Sequence, residues 1–107
     1  MKKEHLAHFD IAGFTYYDGA IVFRKLKIGK KVRLQLEEEN KFDARAVAIY
    51  YNEFKLGFVP RSENRILYKL LKTGLDQNLS VVIQRLDPTA YPENQVSVIV
   101  HLVNDIA

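Results

Sequence analysis

The sequence predicts an all-β domain with one helix, folded as a small barrel or a strongly curled sheet of about six strands. Three observations predict it. Lys31–Glu37 alternates without interruption, with Val32, Leu34 and Leu36 on one face and Lys31, Arg33, Gln35 and Glu37 on the other. That period of two is the mark of a half-buried strand. Further short apolar runs follow at Arg45–Tyr51, Lys55–Val59, Leu79–Leu86 and Gln95–Val103, separated by turn residues. The segment opening at Ser62 has clear helical periodicity. So many short strands in 107 residues are best buried by curling the sheet on itself.

The elements follow in order. Met1–Leu6 reads as a terminal arm, and Ala7–Tyr17 as a first strand rich in aromatic and β-branched residues. Gly13 marks a bulge or close backbone approach within it, and Asp18-Gly19 makes the turn that ends it. Ala20–Ile28 fits a short helical turn better than a strand. Lys31–Glu37, Arg45–Tyr51 and Lys55–Val59 then form an antiparallel meander, with the continuously apolar Arg45–Tyr51 the most central. Ser62 is the expected N-cap of the helix and Gly74 the residue just past its end. Ile66, Leu67, Leu70 and Leu71 gather on its inner side; Arg61, Arg65, Lys69 and Lys72 gather outside. Asp87–Asn94, with Pro88 and Pro92, is a long connection with Tyr91 at its tip.

Composition bounds the function. The length suits one domain, and 48% hydrophobic residues suffice for a core. With no cysteine, thiolate metal sites, disulfides and cysteine nucleophiles are excluded. No apolar run nears the roughly 18 residues of a membrane span, and the start MKKEHLAHFD lacks the apolar stretch of a secretory signal. The expectation is a soluble cytoplasmic protein without a membrane partner. His5, His8 and His101 lack the tight spacing of a metal site and read as structural. Ser62, Ser80 and Ser97 have no triad context, the run Glu37-Glu38-Glu39 reads as a solvated strand end, and no phosphate-binding glycine loop occurs. Neither an enzyme nor a cofactor is expected.

Charge and aromatics point elsewhere. The net charge of +3 is distributed as +5 over residues 1–36, −2 over 37–60, +3 over 61–86 and −3 over 87–107. Basic stretches flank an acidic one, which admits a polyanion. Tyr16, Tyr17, Phe42, Phe58 and Tyr91 lie at or near turns, beside the basic run Arg24–Arg33 and the cationic helix face. Rings on which bases stack, rimmed by cations that meet phosphates, are what single-strand binding requires. Glu37–Tyr50 is the focus: Asn40-Lys41-Phe42-Asp43 has turn chemistry, yet displays an aromatic beside a carboxylate.

The order AGFTYYDG, LKIGKKVRLQLEEENKFDARAVAIY, KLGFVP and then an amphipathic helix resembles the HIRAN domain, over about Phe9 to Val103. The most specific portion is Asn40, Lys41, Phe42, Asp43, Ala44, Arg45, Ala46 and Val47, supported by Gly57-Phe58-Val59-Pro60. Such domains are known at the N-terminus of fork-remodelling DNA translocases and as standalone bacterial proteins. The resemblance implies an OB-like or SH3-like β-barrel that captures the 3′ end of single-stranded DNA. Asp43 would accept a hydrogen bond from the terminal 3′-hydroxyl, while Phe42 and Tyr16 would contact the last nucleotide. Arg33, Arg45 and Arg61 are candidate phosphate contacts by charge and position. The chain departs from the pattern in having Phe42 where Tyr is frequent, Arg45 where Asn is frequent, and Thr15 where some members carry a cation. A larger DNA-processing protein is a second expected partner. The competing reading is a protein-interaction module offering an open edge at Gln95–Val103.

Overall fold

The computed structural model describes residues 2–104. Its strands are β1 (Lys2–Asp10), β2 (Arg33–Leu36), β3 (Val47–Tyr51), β4 (Phe54–Phe58), β5 (Leu79–Leu86) and β6 (Val96–Asn104). Two helices join them, the single-turn α1 (Gly19–Val22) and the longer α2 (Asn64–Lys72). The all-β class with one substantial helix is as the sequence predicts. The barrel is not. The strands form two open antiparallel sheets, ordered β1-β6-β5 and β2-β3-β4.

The sheets meet at two seams, each carrying a single isolated bridge, Ala12↔Phe58 and Lys31↔Val82. Neither seam extends into a ladder, because the chain turns immediately beside each bridge. Gly13 (φ 71°) leads into a 3-10 turn at Phe14–Tyr16, and Gly29 (φ 91°) precedes Lys30-Lys31. The first seam depends on Gly57, since a Cβ there would lie 2.3 Å from the Ala12 carbonyl oxygen. With glycine, Ala12 and Phe58 exchange two 2.8 Å backbone hydrogen bonds.

The meander of β2, β3 and β4 is as expected, with β3 central. Arg33 and Gln35 face outward while Leu34 and Leu36 face the core, matching the alternation. Val47, Ile49, Leu56, Ile83, Val98 and Val100 are fully buried in one cluster shared by both sheets. Burying a side chain of this size stabilises by about 1.5–3 kcal/mol, so this shared core holds the sheets together where ladders do not.

Three local expectations are corrected. Met1 lies outside the described residues, but Lys2–Leu6 is not an arm. It is the outer half of β1, paired from Lys2↔Asn104 through His5↔His101. Its polar residues sit exposed on an edge strand, so they carry no apolar alternation. The first strand ends at Asp10 rather than Tyr17, where Gly13 turns the chain. The last strand offers no open edge: β6 is paired on both sides, with β1 and β5. That removes the edge on which the protein-interaction reading rested.

Helix α2 begins two residues after the expected cap. Pro60–Glu63 first makes its own turn, with Glu63 N–H donating to the Pro60 carbonyl at 2.9 Å, and Glu63 caps without a side-chain hydrogen bond. The end is as expected. Gly74 N–H reaches the Leu71 carbonyl at 3.1 Å and Leu75 N–H the Leu70 carbonyl at 2.9 Å, the Schellman arrangement. Leu67 is buried, but Ile66 is not on the inner face; it is 46% exposed.

Candidate nucleic-acid interface

Asn40 builds the loop between β2 and β3. Its Oδ1 accepts the backbone N–H of Phe42 at 2.8 Å and of Asp43 at 3.0 Å. Its Nδ2 donates to Glu37 Oε1 at 3.3 Å. Two satisfied main-chain donors fix the turn, and the Phe42 ring is left outside it, 86% exposed. Asp43 continues the pattern: its Oδ1 accepts the N–H of Arg45 at 2.9 Å.

The other carboxylate oxygen is held from a distant element. Asn64, buried in the first turn of α2, donates from Nδ2 to Asp43 Oδ2 at 2.9 Å. The turn before α2 brings Arg61 to the same place, with Nε 3.7 Å from Asp43 Oδ2 and a terminal nitrogen donating to the Phe42 carbonyl at 2.6 Å. Each oxygen of a carboxylate has two lone-pair sites. One protein donor on each leaves capacity for a further donor while preventing rotation of the group.

Facing this carboxylate is an aromatic pair. Tyr17 and Phe58 meet edge to face with ring centroids 5.6 Å apart. The Lys55 ammonium lies 4.6 Å from the Tyr17 centroid and 4.3 Å from that of Phe58. Lys55 also pairs with Glu37. A continuous chain of contacts therefore runs from the two rings through Lys55 and Glu37 to Asn40, tying the aromatic side to the carboxylate side. Asp18 anchors the turn carrying Tyr17, accepting Lys55 N–H at 3.2 Å and donating its own N–H to the Lys55 carbonyl at 2.9 Å.

Between the two sides is a cleft of about 250 Å³, with buried Ala46 and Val59 among its lining residues. Six of the nine residues singled out from the sequence line it: Tyr17, Asn40, Phe42, Asp43, Phe58 and Arg61. Three do not. Tyr16 is exposed on the neighbouring 3-10 turn. Arg33 lies on β2 with its guanidinium 4.7 Å from the Tyr50 ring centroid. Arg45 is bound to Asp43 through its backbone, and no side-chain ion pair joins the two among the described residues. Sequence reasoning missed Asn64 and Lys55. The only available signal for Asn64 was an amide in the first turn of a helix; Lys55 looked like any exposed strand lysine.

The histidines come together away from this cleft. An extra residue in β1 between His5 and Ala7 lets His5 and His8 face the same way, with His5 Nε2 and His8 Nδ1 3.1 Å apart. His101 stands opposite His5, its Nδ1 buried without a hydrogen-bond partner among the described residues. Burial, then the charge of Lys3 and the neighbouring His5, lowers the His101 pKa from its ordinary value. No group of three or more ligating side chains placed to hold a metal ion occurs among the described residues. Nor is any described helix long and apolar enough to cross a membrane.

No curated protein matches the chain. A crystal structure of a protein from Lactobacillus plantarum has the same fold, with a TM-score of 0.79 at 22% identity over 94% of this chain and 95% of that one. The family model of the HIRAN domain matches residues 6–102, nearly the whole length. The chain belongs to the HIRAN domain family, whose members are nucleic-acid-binding domains.

Proposed function

We propose that this protein is a non-catalytic module that binds single-stranded DNA and prefers a free 3′-hydroxyl end. The observation that carries the reading is the Asp43 carboxylate, held on both oxygens by protein donors and placed in a cleft beside an exposed aromatic ring. A carboxylate accepts a hydrogen bond from a terminal hydroxyl but offers no donor to a phosphate. At 4 Å a unit of negative charge would be repelled by about 1–4 kcal/mol, depending on solvent screening. Phe42 supplies the face on which the last base stacks, and Tyr17 and Phe58 close the opposite side. Tyr16 extends that aromatic side outside the cleft. Arg61 meets the phosphate on the 5′ side of the last nucleotide, with Arg33 and Arg45 more remote cations.

The test is fluorescence anisotropy with a short labelled single strand ending in either 3′-hydroxyl or 3′-phosphate. The wild type is expected to favour the hydroxyl. Asp43→Asn keeps the shape of the side chain, and Asn64 can turn its amide to accept from it. That variant is expected to lose the preference, since a hydrogen bond to a charged group is worth about 1.5–3 kcal/mol. Equal binding of both ends by the wild type, falling with salt, would reduce the protein to a general single-strand binder.

A further inference from the structure

The cleft has room for the end of a strand, and the remainder must leave along some surface. Beside Arg61, at the cleft's rim, the surface dips again into a depression of about 240 Å³ lined by Ser62, Glu63, Arg65, Ile66 and Lys69. Arg65 and Lys69 are one turn apart on α2, about 6 Å along its axis. Both are exposed, and neither is joined to an acid by an ion pair among the described residues. Lys72 and Lys55 are instead paired, with Glu38 at 2.7 Å and with Glu37, and Arg61 has Asp43 at the longer distance of 3.7 Å. Between the two free cations lies Ile66, an aliphatic side chain that the helix leaves outside its core. Glu63 also lines the depression, where Arg65 and Lys69 outnumber it.

We infer that α2 is the track for the 5′-continuing strand: Arg61, Arg65 and Lys69 meet successive phosphates, and Ile66 meets the sugar or base edge between them. This rests on the proposed seating of the 3′ end in the cleft. The track is short. Past Lys69 the next cation, Lys72, already has Glu38, which raises its pKa by hydrogen bonding and charge. Two phosphates beyond the one at Arg61 are therefore engaged. A cation released from a single strand contributes about 0.7 to the slope of log K against log salt, so Arg65 and Lys69 together account for about 1.4.

The experiment compares the wild type with the double variant Arg65→Gln/Lys69→Gln on dT12 and dT2, both ending in 3′-hydroxyl, across a salt series. Anisotropy reads the longer strand and NMR titration the dinucleotide. Lys25→Gln/Lys27→Gln removes the same charge from another basic stretch. The α2 variant is expected to bind dT12 about tenfold more weakly with a slope shallower by about 1.4, and to bind dT2 like the wild type. The control variant should change neither slope. An unchanged slope on dT12, or an equal change in the control, overturns the track and assigns the effect to the overall field. The end reading is judged separately, by comparing 3′-hydroxyl and 3′-phosphate dT2 on the wild type. Its failure is thus distinguishable from failure of the track.

Discussion

Two loops of this protein use the same turn chemistry and arrive at different surfaces. In Glu37–Ala46, Asp43 Oδ1 accepts the N–H two residues on, and its carbonyl accepts the N–H of Ala46 at 3.1 Å. In Asp87–Gln95, Asp87 Oδ1 accepts the Thr89 N–H at 3.0 Å, and its carbonyl accepts the N–H of Ala90 at 3.2 Å. Each loop displays a ring, Phe42 at 86% exposed and Tyr91 at 77%. The difference lies in the second carboxylate oxygen. For Asp43 it receives Asn64, twenty-one residues away on a helix; for Asp87 the ion-pair partner is Arg85, two residues back and 4.0 Å off. The Asp43 side chain is accordingly 23% exposed and lines a cleft, while Asp87 is 41% exposed and serves its own turn. A local turn motif positions an aspartate, but a distant partner makes it one wall of a cleft.

The aromatic residues give the largest expected difference. Stacking of a base on a ring is worth about 1–3 kcal/mol, so Phe42→Ala is expected to weaken single-strand binding by about five- to hundredfold. Tyr91→Ala should leave affinity within twofold. Anisotropy with a 3′-hydroxyl strand reads both. Equal losses would break the comparison by bringing the second loop into the interface.

Replacing the distant partner should make the first loop resemble the second. Among the described residues, Asn64→Ala leaves Asp43 Oδ2 with Arg61, at 3.7 Å. A buried group deprived of its hydrogen bond costs about 1–3 kcal/mol, and Asp43, at 23% exposed, falls at the lower end of that range. Chemical denaturation should register a loss of that size, and the hydroxyl-over-phosphate preference should shrink while salt-dependent binding persists. Unchanged end preference in a destabilised Asn64→Ala protein would mean that Asn64 supports the fold without orienting Asp43.

The same contrast explains what was legible in the sequence. The meander β2–β4 and the end of α2 are fixed by near-neighbour patterns: the alternation from Lys31, the apolar run from Val47, and Gly74 past the last helical turn. The loop from Glu37 was legible too, because Asn40 and Asp43 act on donors two or three residues away. What was not legible lies far apart in the chain. Asn64 reaches Asp43 only once α2 has packed beside the loop, and Lys55 joins Tyr17 to Glu37 across two elements. The outer half of β1 failed for another reason. Lys2–His5 is polar because an edge strand exposes it, and its pairing with β6 leaves no trace in its own alternation. Barrel closure was equally out of reach, since it depends on whether the short seams at Ala12 and Lys31 lengthen into ladders, and Gly13 and the Gly29 turn stop them.

The smallest expected effect concerns the second loop and its acid titration. The Thr89 hydroxyl, followed by the Thr89 N–H, hydrogen-bonds the Asp87 carboxylate and lowers its pKa from the ordinary value of 3.8. A carboxyl depressed on folding binds fewer protons than it does in the unfolded chain. Its contribution to stability is therefore complete above the unfolded pKa, near 4, and disappears as pH falls through the lower folded value. Thr89→Val removes the hydroxyl at 2.7 Å but keeps the backbone N–H. The Asp87 carboxyl resonance, followed by NMR from pH 6 to pH 2, should then titrate nearer to 3.8, while single-strand affinity at neutral pH stays within twofold of the wild type. A loss of affinity as well would mean that the two loops are coupled through the molecule, contrary to their separate construction.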